Sequence, residues 1–190
     1  MKRLSTALLL VSALLCGIPL QAAIFPEGGG IVYGQGFAFN LKAPKGWVLD
    51  NESGSEQGMV AVFYPKGSNW SDSAIVAYAR SRPKTAAIAT ADDAAKETVK
   101  QFHSSGNPNY QGKMDKTIKT DAGQDVVIYH FNGDQWNNYE AVAYFVEKDR
   151  INFIVLSSRD QKVFEQSLPA FEELAKSYKA MAATVTPPKS

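Results

Sequence analysis

The sequence predicts an α+β domain, an α/β/α sandwich in which a central antiparallel sheet is flanked by two main helices. The order of hydrophobic periods along the chain is strands, one helix, several adjacent strands and a second helix. The connections between consecutive strands are short, which favours antiparallel pairing. Apolar residues also point to both sides of segment 139–146, so helices can cover both faces of the sheet.

The first 22 residues have the three parts of a secretory signal peptide. Lys2 and Arg3 form the charged start, residues 7–15 form an apolar run, and the expected cleavage site follows Ala22. Cys16 raises the alternative of a lipoprotein, but that processing needs a small residue before the cysteine, and Leu15 is bulky. We therefore expect a periplasmic or secreted bacterial protein.

Removal of residues 1–22 from the 190-residue chain would leave 168 residues with 18 basic and 19 acidic side chains. This near-neutral balance gives no sign of a nucleic-acid-binding surface. The single cysteine lies within the signal peptide, so the mature chain has no thiol for a disulfide or for catalysis. No later apolar stretch is long enough to span a membrane, and no motif indicates a cofactor.

The chain divides into four parts on composition. A glycine-rich lead-in at 23–36, read as loosely ordered, follows the signal peptide, a single domain covers 37–182, and the tail 183–190 is expected to be disordered. Strands are predicted first from alternating or continuous apolar residues, with the Pro44-Lys45-Gly46 turn between the first two. Their ranges are 37–41, 47–49, 59–64 and 74–80.

Segment 90–104 then changes to a helical period. Thr90 can cap the helix, and Asp93 stands three residues later, where its carboxylate can reach back to the capping residue. Gly106 can end this helix. Three strands follow at 124–131, 139–147 and 150–157, and the tight connection Lys148-Asp149 predicts antiparallel pairing of the last two.

The helical period returns from Asp160 onward. Pro169 lies in the middle of this segment, and proline breaks the hydrogen-bonding pattern of a helix interior. We therefore expect a short turn before Pro169 and a main helix from about Leu168.

Two segments resemble the PsbP-like superfamily, which includes a photosystem extrinsic subunit, a Ran-binding import factor and bacterial envelope proteins of unknown function. Segment 37–47 is similar to that group's opening strand and its Pro-x-Gly-Trp turn, and segment 164–178 is similar to its closing helix. The resemblance covers roughly 36–181 and implies an antiparallel sheet between helices, used for binding or accessory work rather than catalysis. It identifies no partner, and no partner-binding residues carry over.

His130 and Asp134 are candidates for a catalytic pair. His130 shares a strand face with Val126 and Ile128, and Asp134 follows past the turn. A histidine beside a carboxylate can act as a base, which gives a hydrolase as the alternative function. The competing interpretation is a histidine at the sheet margin with local hydrogen bonds. The sequence has no Gly-x-Ser-x-Gly nucleophile motif, and Glu140 with Asp134 is only a conceivable glycosidase pair.

A metal site is not expected. His103 and His130 are the only imidazoles and lie on different elements, whereas a zinc site needs at least three protein ligands. Residues 132–134 begin like a calcium loop, but Trp136 occupies the next alternate position.

The tryptophans point towards binding. Trp70 and Trp136 lie in polar loops, where an exposed aromatic ring among amides can meet a protein surface or a sugar. Trp47 starts a strand and is interpreted as covering the edge of the core. The preferred function is an exported, non-catalytic binding or accessory domain that contacts an unknown protein or small ligand of the cell envelope through Trp70 and Trp136.

Overall fold

The structure is a computed structural model that describes residues 28–181. Its elements are β1 Gly29–Gly34, β2 Phe37–Lys42, β3 Trp47–Asp50, a short 3-10 helix Ser55–Gln57, β4 Ala61–Pro65, β5 Val76–Pro83, α1 Ala91–Ser104, β6 Gln111–Lys119, β7 Asp125–Asn132, β8 Tyr139–Val146, β9 Arg150–Ser158, α2 Gln161–Lys176 and β10 Lys179–Met181. The predicted signal peptide 1–22 and tail 183–190 lie outside the described residues.

The strands form two antiparallel sheets. The larger sheet has seven strands in the order β3-β4-β5-β9-β8-β7-β6, and the smaller has three in the order β1-β2-β10. The tight connection between β8 and β9 sets their register, with Val142 opposite Val155. The prediction of an α+β fold with antiparallel sheets and two main helices is confirmed.

The large sheet contributes to two separate apolar clusters, as the two-residue period of β8 requires. Ala141, Ala143 and Phe145 belong to a cluster that includes the buried residues of α2. Val142 and Tyr144 belong to a second cluster that includes the buried residues of α1. Burial of each large apolar side chain contributes roughly 1.5–3 kcal/mol, so both clusters hold the helices against the sheet.

Helix α1 begins as predicted. The Asp93 N–H donates to Thr90 Oγ1 at 3.1 Å, and the Asp93 carboxylate accepts from the Thr90 N–H at 3.0 Å, which completes a capping box. At the other end Gly106 has φ 88°, and the Asn107 N–H donates to the Phe102 carbonyl at 3.0 Å. This ending directs the chain into the connection before β6.

Helix α2 differs from the prediction, because it runs unbroken through Pro169 from a cap at Asp160. The predicted break before Pro169 is wrong for a tertiary reason. Phe164 and Phe171 are both buried in the core on either side of the proline. Their packing outweighs the roughly 3 kcal/mol that proline costs a helix interior.

Three strands have no counterpart in the prediction. The glycine-rich segment read as loosely ordered contains β1, which pairs with β2 and buries Val32. β6 is exposed over almost its whole length, so it lacks an apolar alternation that would reveal it. β10 has only three residues. The domain boundaries drawn from composition remain a prediction.

No helix within residues 28–181 combines the length and the apolar character needed to cross a membrane.

Candidate functional site

The two tryptophan-bearing loops lie at the same end of the large sheet. The first connects β4 to β5, and β5 begins at Val76 opposite Ser157. The second connects β7 to β8, and β8 begins at Tyr139 opposite Ser158. Because β9 lies between β5 and β8, the loops stand on either side of its last residues.

Asp134 organises the β7–β8 loop, residues 133–138. Asp134 is 5% exposed, and its carboxylate accepts from the Trp136 N–H at 3.1 Å. It also accepts from the Asn138 N–H at 2.8 Å and from the Asn138 side-chain amide at 2.7 Å. These charge-assisted bonds fix the backbone on both sides of Asn137, which adopts a left-handed φ of 59°.

Gly133 allows this loop to lie against the connection between α1 and β6. Its φ is 92°, and a Cβ at this position would collide with the carbonyl oxygen of Asn109. The Gln135 N–H donates to the buried Asn107 side chain at 2.7 Å, which joins the two connections a second time. The loop is therefore held by its neighbour as well as by Asp134.

Trp136 is displayed by this ordered loop, and half of it, 50%, is exposed. Trp70 is more enclosed, because its indole N–H donates to Gln57 Oε1 at 3.0 Å and its ring meets Tyr78 edge-on at 6.2 Å. Trp47 packs against the edge of the core, in agreement with its sequence-based interpretation. Of the three rings, Trp136 is the one most available to another molecule.

A buried aromatic layer supports the loop from below. Tyr110 stacks on Phe102 at 3.9 Å and on Phe131 at 5.7 Å between ring centroids. Its hydroxyl donates to the Glu140 carboxylate at 2.7 Å. Burial raises the pKa of Glu140, the hydrogen bond from Tyr110 opposes this rise, and the nearby Asp134 carboxylate adds to it.

His130 is separated from this site. It belongs to the face of β7 that carries Val126 and Ile128, and its ring meets Phe164 of α2 edge-on at 5.6 Å. Its carboxylate neighbour is Asp115, with Nε2 and Oδ2 3.7 Å apart. Burial lowers the pKa of His130, Asp115 opposes this shift, and Lys116 adds to it.

The predicted pairing of His130 with Asp134 does not occur among the hydrogen bonds and ion pairs of residues 28–181. The physical reason is that Asp134 turns its carboxylate into its own loop, whereas His130 packs under α2. A cleft of about 190 Å³ borders His130, and its lining includes no serine, threonine or cysteine. Asp134 and Glu140 are both buried, which leaves no room for a sugar between them as in a glycosidase.

The part of the chain that the structure describes contains no group of three His, Cys, Asp or Glu side chains that could hold a metal ion. His103 Nε2 lies 2.7 Å from the Tyr110 carbonyl oxygen, which places this imidazole beside the α1–β6 connection.

Sequence reasoning missed the contribution of the α1–β6 connection to this site. Residues 107–111 read NPNYQ, and they lie beside NGDQWNN at 132–138. The Gln111 side-chain amide donates to Asn132 Oδ1 at 3.1 Å across the two segments. Both segments are rich in Asn and Gln, and this composition was the signal that the sequence offered. Their proximity comes from the β6–β7 pairing, which composition does not reveal.

These elements define an α+β domain with a PsbP-like fold. The chain is similar to the solution structure of cyanobacterial PsbP (CyanoP) from Synechocystis sp. PCC 6803, with a TM-score of 0.53 and 15% identity over 84% of this chain and 96% of that one. A crystal structure from Bacteroides thetaiotaomicron VPI-5482 is similar with a TM-score of 0.42 and 13% identity over 79% and 47% of the two chains. No family model matches the chain, and neither does any curated protein. The expected PsbP-like fold is confirmed, and at this identity the likeness concerns the fold alone.

Proposed function

We propose that this protein is an exported, non-catalytic binding or accessory domain that acts in the bacterial periplasm. It contacts a partner protein or small ligand through the β7–β8 loop. The observation that carries the proposal is the half-exposed Trp136 on a backbone fixed by the buried Asp134 carboxylate. The PsbP-like fold and the signal-like segment 1–22 support the accessory role and the export.

An ordered loop makes Trp136 an effective contact residue. A binding segment that is already fixed loses less conformational entropy when a partner arrives. Tryptophan is enriched among the residues that contribute most to protein interfaces, because its large ring excludes water over a wide area. Trp136 belongs to neither apolar cluster of the described residues, so its exposed surface is available for contact with another molecule.

Trp70 is the secondary contact in this proposal. Its loop lies at the same end of the sheet, but its indole N–H and one ring edge are already engaged by Gln57 and Tyr78. The Trp70 ring lies against Tyr78, so a partner that covers Trp136 would have to extend over β5 to contact it. We expect Trp70 to contribute less to binding than Trp136.

The proposed architecture behind this surface is the three-layer α/β/α sandwich. The separate membership of α1 and α2 in two apolar clusters supports it, since alternate residues of β8 contribute to each cluster. Such a scaffold gives the loop end a rigid base. No observation favours the hydrolase alternative, because the His130 cleft has no serine, threonine or cysteine among its lining residues.

The proposal is tested by expressing the full chain with a C-terminal tag in a bacterial host and recovering the periplasmic fraction. The intact mass tests cleavage after Ala22. Captured envelope components are then quantified for the parent protein, for Trp136→Ala and for the control Tyr33→Ala, which changes a residue 67% exposed on β1. Capture that depends on Trp136 but not on Tyr33 supports the proposal. Retention in the cytoplasm, or capture unchanged by Trp136→Ala, contradicts it.

A further inference from the structure

We infer that the surface around Trp136 is a carbohydrate-binding face whose ligand is a neutral glycan. The inference rests on the proposed binding function and names the ligand class. The face, called the amide face below, consists of Trp136 and five exposed amide side chains: Asn109, Gln111, Asn132, Gln135 and Asn137.

The amide face is continuous because two connections are joined along their length. The Gln135 N–H donates to Asn107 at 2.7 Å. Gly133 lies so close to the Asn109 carbonyl that no side chain would fit between them. At the strand ends, the Gln111 and Asn132 side chains bond at 3.1 Å. The two segments that carry the exposed amides are therefore in direct contact rather than separate loops.

The chemistry of the face is polar but without formal charge. Segments 107–111 and 132–138 contain two ionisable side chains, Asp134 and Tyr110, and both are buried. His103 is engaged at the Tyr110 carbonyl. Lys113 and His130 form the next register pair on the same strand face as Gln111 and Asn132, so they lie at the margin of the amide face. Within the two segments themselves, a charged ligand would lose hydration without meeting an exposed opposite charge. A neutral ligand avoids the larger cost of desolvating a charge.

Amides and an indole ring together match the two surfaces of a sugar. Each Asn or Gln side chain offers two donors and one acceptor oxygen, which suits hydroxyl groups that both donate and accept. The Trp136 ring offers an apolar face on which the C–H side of a pyranose can stack. An oligosaccharide presents these two surfaces alternately along its length, so it can use several amides at once.

The amide face is also ordered before a ligand binds. Asp134 fixes the backbone around Trp136, and the ring of Tyr110 is held between Phe102 and Phe131 beneath the loop. Weak single hydrogen bonds to hydroxyls give useful affinity only when the donors are already in place. The buried supports supply that order, and Gln111 and Asn132 also hold each other in place by their side-chain hydrogen bond.

The test is an NMR titration that observes the indole N–H signals of Trp47, Trp70 and Trp136, assigned through single Trp→Phe variants. The probes are N-acetylchitohexaose and laminarihexaose as neutral oligosaccharides and a heparin hexasaccharide as a charged one, each to about 10 mM, which detects millimolar dissociation constants. We expect at least one neutral probe to shift the Trp136 signal in a saturable manner. Trp136→Ala should weaken its binding by at least about tenfold.

Gln135→Glu keeps the side-chain size but removes the amide donor and adds a charge, so it should weaken binding several-fold, whereas Tyr33→Ala should leave it unchanged. Absence of binding by both neutral probes, with Trp136-dependent capture of an envelope protein, overturns the carbohydrate inference and leaves the proposed function standing. A heparin hexasaccharide that binds more tightly than the neutral probes also overturns it. Loss of both glycan binding and Trp136-dependent capture removes both proposals together.

Discussion

The Tyr110 hydroxyl donates a 2.7 Å hydrogen bond to the Glu140 carboxylate beneath the loop that displays Trp136. Both residues are buried, and the bond joins the residue before β6 to the second residue of β8 across the aromatic layer. This pair makes the support of the loop sensitive to the protonation of a single carboxyl group.

Removal of the Tyr110 hydroxyl should destabilise the protein. Tyr110→Phe leaves the buried Glu140 carboxyl without this donor, so we expect the free energy of unfolding to fall by about 1–3 kcal/mol. Urea denaturation at neutral pH measures the change. Tyr33→Phe is the matched control, since the exposed hydroxyl there should contribute within about 0.5 kcal/mol. Equal stability of the two variants would contradict a structural role for the bond.

The Glu140 carboxyl should also shape the pH dependence of stability. Its pKa is raised above the ordinary value of 4.5, so the folded state holds this proton more tightly than the unfolded state. The contribution of Glu140 to the free energy of unfolding is complete below pH 4.5. It is lost as the pH rises through the pKa of Glu140 in the folded state. Denaturation series over this range should show that decline in the parent protein and its absence in Glu140→Gln. If the free energy of unfolding declined equally in both proteins, the decline would come from other titratable groups.

Asp134 should control the order of the loop more than the stability of the whole fold. Asp134→Ala removes three acceptor contacts to Trp136 and Asn138. We expect amide hydrogen exchange at Trp136 and Asn138 to accelerate by at least about tenfold, because local opening then requires less free energy. Exchange in the central strand β8 serves as the internal control. Unchanged exchange at both loop amides would mean that Asp134 does not hold the loop.

His130 should titrate below its ordinary pKa of 6.5, because burial disfavours the imidazolium. A lowered folded pKa means that its full contribution to stability is present above 6.5 and is lost as pH falls through the folded pKa. NMR titration of the imidazole in the parent protein, and denaturation of His130→Phe over the same pH range, test this. A His130 pKa above 6.5 would show that Asp115 outweighs burial.

Pro169 should reduce the stability of α2. Pro169→Ala supplies an N–H that can donate to the Glu165 carbonyl one turn earlier, so we expect stabilisation of about 1–3 kcal/mol. Urea denaturation measures it, with Ala170→Gly as a control that should destabilise the same turn by about 1 kcal/mol. A loss of stability in Pro169→Ala would show that the core is packed around a proline-specific bend.

The sequence predicted the structure correctly where a short residue pattern determines the local backbone conformation. Thr90 and Asp93 predicted the start of α1, because a capping box needs only three-residue spacing. It was silent on β6, whose exposed residues follow the pairing of the backbone with β7 rather than an apolar period. Local rules also failed at Pro169, where the burial of Phe164 and Phe171 decides the conformation.

Some residues of the candidate site could likewise be predicted from the sequence, and others only from the structure. Trp136 was proposed as a contact residue from its loop composition, and in the structure it is half exposed. The pairing of His130 with Asp134 was inferred from their short separation, but a strand residue and a turn residue can point to opposite sides of a sheet. The contribution of the amides at 107–111 could be recognised only from the fold, because 20 residues lie between this segment and Asn132 along the chain.

The most direct test of the binding account is the capture of envelope components by the parent protein, Trp136→Ala and Trp70→Ala, measured beside thermal unfolding. Because Trp136 is half exposed, its loss should leave the unfolding midpoint nearly unchanged. The account predicts that Trp136→Ala abolishes capture and that Trp70→Ala reduces it less. Full capture by a well-folded Trp136→Ala protein would contradict the assignment of the β7–β8 loop as the contact surface.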